Sequence, residues 1–128
     1  AAAQAAVERA TAQAALLRGP EQRMFERACG ACHHDGDAPV ETGRNIPLAL
    51  ATSLHSDRPD NLVRTILEGI REPATPALGF MPGFADSLDD RQVAALAAWM
   101  RARFAPGAPA WTGLDAAVSR IRAKPSAP

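Results

Sequence analysis

The chain has 128 residues and carries 14 basic and 14 acidic side chains, so its formal net charge is zero. This length accommodates a single core, and the charges form no basic face of the kind that binds nucleic acid or anionic lipid. No apolar run is long enough to span a bilayer, so we expect no transmembrane segment. Tyrosine is absent, alanine is abundant and β-branched residues are scarce, which favours an all-α fold.

The first half of the chain predicts two helices and then a long loop. Residues 3–18 form an alanine-rich helix, which Gly19 and Pro20 interrupt. Pro20 suits the first turn of a second helix, which we expect to extend to about Cys32. The apolar side of that helix consists of Met24, Phe25 and Ala28. Residues 34–60 are punctuated by Gly, Pro and Asp and predict a loop.

The next predicted helix begins near Asp60 and ends near Gly69, where a left-handed glycine cap costs little. Its apolar positions recur at helical spacing and are Leu62, Val63, Ile66, Leu67 and Ile70. Residues 71–86 contain three prolines and two glycines, and this composition excludes regular structure.

Two further helices are predicted in the last third of the chain. Ser87 and Asp90 form a capping box for a helix that ends before Pro106. One face of this helix carries Val93, Leu96, Ala97, Met100 and Phe104. A short helix over residues 113–123 aligns Leu114, Val118 and Ile121.

The run Cys29-Gly30-Ala31-Cys32-His33 is the pattern of covalent c-type haem attachment. Each thiol adds to one vinyl group of the porphyrin, and His33 can then offer an imidazole nitrogen to the iron as the proximal ligand. The alternatives fit less well. A zinc site needs two more ligands, and only His34 and His55 are left. A redox dithiol belongs to a βαβ setting, and a disulfide within four residues is strained.

The order helix, CxxCH, loop, helix, methionine loop, helix resembles the class I cytochromes c over residues 18–105. The chain looks most like a haem module of the multi-haem cytochrome c subunits of periplasmic alcohol and aldehyde dehydrogenases. The residues that carry this likeness are Phe25 and the stretches 46–50, 61–69, 81–84 and 87–90. In one departure, Glu21 stands where the family usually has a small glycine, so we expect a wider or shifted crossing of the terminal helices.

The resemblance implies helices packed around one covalently bound haem c, attached through Cys29 and Cys32. It divides the chain into a cytochrome c domain over residues 18–105, a helical arm or linker over 1–17 and a C-terminal arm over 106–128. Three interpretations of the arms are open: linkers from a larger polypeptide, docking elements for a dehydrogenase subunit, or segments packed on the module. The sequence does not distinguish between them. Because the chain begins at Ala1 without an initiator methionine, we expect a processed chain or a fragment.

Met81 is the candidate sixth iron ligand. A thioether favours the ferrous state and therefore raises the reduction potential, and Met81 lies in a loop stiffened by Pro and Gly. Met24 and Met100 fall on helix faces and suit core packing instead. His34 and His55 are the fallback ligands.

The resemblance also implies roles for five other residues. Pro47 matches a proline whose neighbouring carbonyl accepts the N–H of the proximal imidazole, or else it only shapes a loop. Arg64 and Arg44 are candidates for pairing with a haem propionate, and an ordinary surface position is the alternative for each. Phe25 and Trp99 resemble the aromatic residues at the crossing of the first and last helices, where packing is their role.

We therefore expect an electron carrier that makes and breaks no bonds. It relays single electrons from a dehydrogenase subunit to a downstream cytochrome or oxidase of the respiratory chain. The location is periplasmic, because bacteria attach haem covalently outside the cytoplasm. The alternative is a peroxidase-like haem enzyme or a gas sensor with an open sixth position. Against it, the Met81 region offers no His or Arg suited to polarising a bound peroxide, Arg71 being the nearest.

Overall fold

The computed structural model describes residues 4, 5, 8, 19–29, 48, 51–70 and 81–126. Within these ranges, five helices have defined bounds: α1 (Pro20–Ala28), α2 (Thr52–His55), α3 (Asp60–Glu68), α4 (Asp90–Phe104) and α5 (Leu114–Ala123). Residues 4, 5 and 8 are also helical, and the rest of the helix predicted over 3–18 lies outside the described residues. The β-type pairing among the described residues is a single antiparallel bridge between Ile70 and Met81. The prediction of an all-α fold is confirmed.

Helix α4 is the centre of the described core. It contacts α1, α2, α3 and α5, and nine of its 15 residues are buried. The whole predicted apolar face is among them, which confirms that face. Burial extends further round the helix to Trp99, Arg101 and Arg103, so the pattern of one apolar stripe understates how deeply α4 is enclosed.

Helix α1 crosses α4 through aromatic packing. Phe25 is fully buried, and its ring centroid lies 5.2 Å from that of Trp99 and 5.5 Å from that of Phe104. These tilted arrangements suit the ring quadrupoles and confirm the predicted role of Phe25 and Trp99. The helix ends at Ala28, earlier than the predicted Cys32, and the Cys29 amide closes its last turn on the Phe25 carbonyl at 2.7 Å.

The short helix α2 lies inside the segment 34–60 for which the sequence predicted a loop, so that prediction is wrong for residues 52–55. Leu54 explains the difference. Its side chain is fully buried in a helix of only four residues, which is too short to show a helical repeat of apolar positions.

A capping box begins α4, but its residues are not the predicted Ser87 and Asp90. The Asp89 carboxylate accepts the Gln92 N–H at 2.8 Å, and the Gln92 side chain accepts the Asp89 N–H at 2.9 Å. The Ser87 N–H instead donates to the Phe84 carbonyl at 3.1 Å, which places Ser87 in the turn before the helix.

Helix α3 buries the predicted face except for its last member. Leu62, Val63, Ile66 and Leu67 are buried, whereas Ile70 is 42% exposed. The helix ends at Glu68, and Gly69 follows with φ +74° and ψ −166°. The positive φ was predicted. The extended ψ turns the chain away from a left-handed cap and into the bridge with Met81.

Helix α5 packs on α3 and α4. It matches the predicted short helix, and it buries Ala117, Val118 and Ile121. Among the described residues, none of the helices combines the length and the apolar character that crossing a membrane requires.

Candidate haem site

Cys29, the first residue of the CxxCH run, is the C-cap of α1. It is 7% exposed and belongs to the same apolar cluster as Phe25 and Trp99. The crossing of α1 and α4 therefore fixes where the run begins. Cys32 and His33 lie outside the described residues, as do Pro47, Arg44 and His34.

Met81 is attached to the end of α3 by its backbone. The Ile70 N–H donates to the Met81 carbonyl at 2.8 Å, and the Met81 N–H donates to the Ile70 carbonyl at 3.1 Å. The side chain is half-buried. The other two methionines have packing roles as predicted: Met100 is a buried core residue and Met24 packs against the core.

The chain after Met81 also lies directly against the last turn of α3. The N–H groups of Phe84 and Ala85 donate to the carbonyls of Ile66 and Leu67, at 2.9 and 3.1 Å. A Cβ atom on Gly83 would lie 2.6 Å from the Leu67 carbonyl oxygen. The two backbones are therefore in contact, and this contact holds Met81 within a narrow range of positions.

Gly69 allows the same approach from the α3 side. A Cβ atom on Gly69 would overlap the Met81 carbonyl oxygen and lie 2.6 Å from the Pro82 carbonyl carbon. The positive φ of Gly69 is a second reason for glycine here. The sequence predicted Gly69 as a helix cap and Gly83 as a loop residue, but not the contact between them.

Arg64 projects from α3 towards the C-terminal segment. Its guanidinium donates to the Glu68 carboxylate at 2.7 Å, to the Ser126 hydroxyl at 3.2 Å and to the Lys124 carbonyl at 3.3 Å. Burial alone raises the pKa of Glu68, but hydrogen bonds from Ser126 and Arg64 outweigh it, so the pKa lies below its ordinary value of 4.5. Pairing of Arg64 with a haem propionate stays a prediction.

Two of the described residues carry sulfur groups of the kind that suit a c-type haem. Cys29 supplies a thiol in apolar surroundings and Met81 supplies a thioether, which is a soft ligand for iron. Phe84, Ala85 and Leu88 add partly buried apolar surface against the core. Within the described ranges, His, Cys, Asp and Glu form no group of three or more that could hold a metal ion.

A buried arginine is the feature that sequence reasoning missed. Arg101 is 3% exposed, and its guanidinium donates to the carbonyls of Leu54 and Ser56 at 2.7 Å each. It lies 4.3 Å from the centre of the Trp111 ring, whose N–H also donates to Ser56. No motif marks such a residue, because a charged side chain on a helix is expected to be exposed.

The crossing of α1 with α4, with a CxxCH run starting at the end of α1, is the arrangement of a class I cytochrome c. Residues 19–100 match the family model described as cytochrome C oxidase, cbb3-type, subunit III. The match covers more than half of the chain, and the chain belongs to this family.

The chain is also similar to one of the subunits of nicotinate dehydrogenase from Pseudomonas putida. The two are 52% identical over 104 residues, which make up 81% of this chain and 9% of that protein. The chain thus spans less than a tenth of the relative. Membership of the family confirms the prediction of a c-type cytochrome module, with covalently bound haem c, iron and a role in haem-based electron transfer.

Proposed function

We propose that haem c is attached through Cys29 and Cys32 and that His33 and Met81 are its two axial ligands. The observation that carries the assignment of Met81 is the attachment of its backbone to the end of α3 through both hydrogen bonds of the Ile70 bridge. Because the backbone of Met81 is already fixed, binding of its thioether to iron costs little conformational entropy.

The bound haem supplies a couple between ferric and ferrous iron. The chain's residues determine how this couple is used. The Met81 thioether favours the ferrous state. With both axial positions filled by the protein, the module passes single electrons and makes and breaks no bonds.

We propose that the electrons come from a dehydrogenase subunit and pass to a downstream cytochrome or oxidase of the respiratory chain. The similarity to a dehydrogenase subunit supports the donor. A periplasmic location is proposed because covalent haem attachment in bacteria takes place outside the cytoplasm. Pro47 near the proximal imidazole, and Arg44 and Arg64 near the propionates, complete the proposed site.

An optical spectrum of the haem-loaded protein tests the ligands. We expect a low-spin ferric spectrum with the far-red methionine–iron band. Met81→Ala should abolish the band and lower the reduction potential, because the soft ligand is lost. Met100→Leu is the matched control: Met100 is 5% exposed in the core, and a volume-conserving change there should keep the band.

A high-spin ferric spectrum in the unsubstituted protein, with rapid binding of cyanide or azide, would contradict the proposal. It would favour an open sixth position and hence the enzyme or gas-sensor alternative. Retention of the far-red band in Met81→Ala would show that another residue is the ligand.

A further inference from the structure

The loop that follows Met81 is held from two sides. On one side, the N–H groups of Phe84 and Ala85 donate to the carbonyls of Ile66 and Leu67 in α3. The loop carbonyls are held by Arg122, which projects from α5. Its guanidinium donates to the carbonyl of Ala85 and, at 2.7 Å, to the carbonyl of Leu88.

Arg122 is itself fixed by a carboxylate. Its Nε donates to Asp90 Oδ1 at 2.6 Å, and the Ser119 hydroxyl donates to Asp90 Oδ2 at 2.7 Å. Asp90 is the first residue of α4, where a negative charge is stabilised by the helix dipole. The planar guanidinium therefore joins α5, the start of α4 and the loop after Met81, and a single ammonium group cannot reproduce this geometry.

Helix α5 is a firm support for this contact. Ala117, Val118 and Ile121 are buried against the core, so apolar packing fixes the helix in place. The helix also lies beyond residues 19–100 that match the family model.

We propose that Arg122 is a positioning residue for Met81: by holding the loop carbonyls, α5 limits how often the thioether leaves the iron. This inference rests on the proposed ligation by Met81. Without Arg122, the loop keeps its amide contacts to α3 but loses the contact that holds its other side. The population with an open sixth position then rises.

The test is the rate at which cyanide binds the ferric, haem-loaded protein, because cyanide enters only when Met81 has left. Arg122→Met keeps the aliphatic stem and removes the donors. We expect cyanide to bind at least about tenfold faster. A tenfold change corresponds to a loss of ~1.4 kcal/mol from the free energy that favours the state with Met81 on the iron. Arg122→Lys, which keeps one charged donor, should give an intermediate rate and remains measurable if Arg122→Met does not fold.

Arg120→Met is the matched control, because Arg120 lies on the same helix and pairs with Asp60 rather than with the loop. It should change the rate by less than about twofold, as exposed ion pairs contribute little. Hydrogen exchange at the Phe84 and Ala85 amides should accelerate in Arg122→Met and stay unchanged in Arg120→Met.

The outcomes separate the two proposals. If the unsubstituted protein lacks the far-red band, Met81 is not the ligand and the proposed function fails. If the band is present but Arg122→Met and Arg120→Met bind cyanide at the same rate, ligation by Met81 stands and the role of Arg122 is refuted.

Discussion

Replacing Arg101 by methionine removes a buried guanidinium but keeps most of its aliphatic stem. The side chain is 3% exposed. It donates to the carbonyls of Leu54 and Ser56 at 2.7 Å and to that of Pro109 at 3.0 Å. Burial lowers the pKa of Arg101, partly opposed by Asp57, and an arginine remains charged at neutral pH in spite of this.

The expected loss follows from where these carbonyls lie. The bond to Leu54 is buried, whereas those to Ser56 and Pro109 are partly buried, so water can replace the donors only at the latter two. A hydrogen bond from a charged donor contributes about 1.5–3 kcal/mol, and an unsatisfied buried acceptor costs a similar amount. Since such terms are not additive, we expect Arg101→Met to lower the free energy of unfolding by about 3–5 kcal/mol.

Chemical denaturation of the haem-loaded protein, followed by far-ultraviolet circular dichroism, measures this loss. Arg91→Met on the exposed side of the same helix is the control and should stay within about 0.5 kcal/mol of the unsubstituted protein. Arg101→Lys should recover part of the loss, because an ammonium reaches fewer of the carbonyls. A loss below about 1 kcal/mol in Arg101→Met would refute the reasoning, since even one such bond contributes more.

Three further substitutions test the packing, the Met81 contact and the acid response. Phe25→Ala empties the fully buried crossing of α1 and α4 and should lower the free energy of unfolding by about 3–5 kcal/mol, measured by the same denaturation. Gly69→Ala places a Cβ against the Met81 carbonyl at a positive φ; it should cost about 1–3 kcal/mol and weaken the far-red band, and an unchanged band would contradict the contact. The hydrogen bond from Arg120 is the main cause that holds the pKa of Asp60 below 3.8. The stabilisation that the ionised Asp60 contributes is therefore present above pH 3.8 and is lost as the pH falls through the lower folded-state pKa. Asp60→Asn removes this contribution, so the free energy of unfolding should depend less on pH in acid. An unaltered dependence would refute the pairing.

The long helices were predictable because their apolar residues recur at helical spacing. The predicted face of α4 is buried, as are Val118 and Ile121 in α5, whereas Leu114 of α5 is half-buried. In α3, Leu62, Val63, Ile66 and Leu67 are buried as predicted. The pattern fails at Ile70, because the chain has already left the helix at Gly69. It also fails for α2, where a single buried residue, Leu54, decides the structure.

The candidate site was predictable where a residue's chemistry is local. The CxxCH run and the loop around Met81 could be read directly from the sequence. The contacts that hold Met81 could not, because they join its loop to α3 and α5, which are distant along the chain. Arg122 is the clearest case, since its partners are the loop carbonyls of Ala85 and Leu88 and the Asp90 carboxylate. Nothing in its own neighbourhood distinguishes it from Arg120.

The central claim, that Met81 is the axial ligand of a closed haem, is tested most directly by nuclear magnetic resonance of the reduced protein with isotope-labelled methionine methyl groups. The chain has three methionines. The porphyrin ring current shifts a methyl group held over the iron far upfield. We predict one strongly shifted methyl signal, which is absent in Met81→Ala, and ordinary core positions for Met24 and Met100. Three methyl signals in the ordinary range, or a shifted signal that persists in Met81→Ala, would contradict the claim.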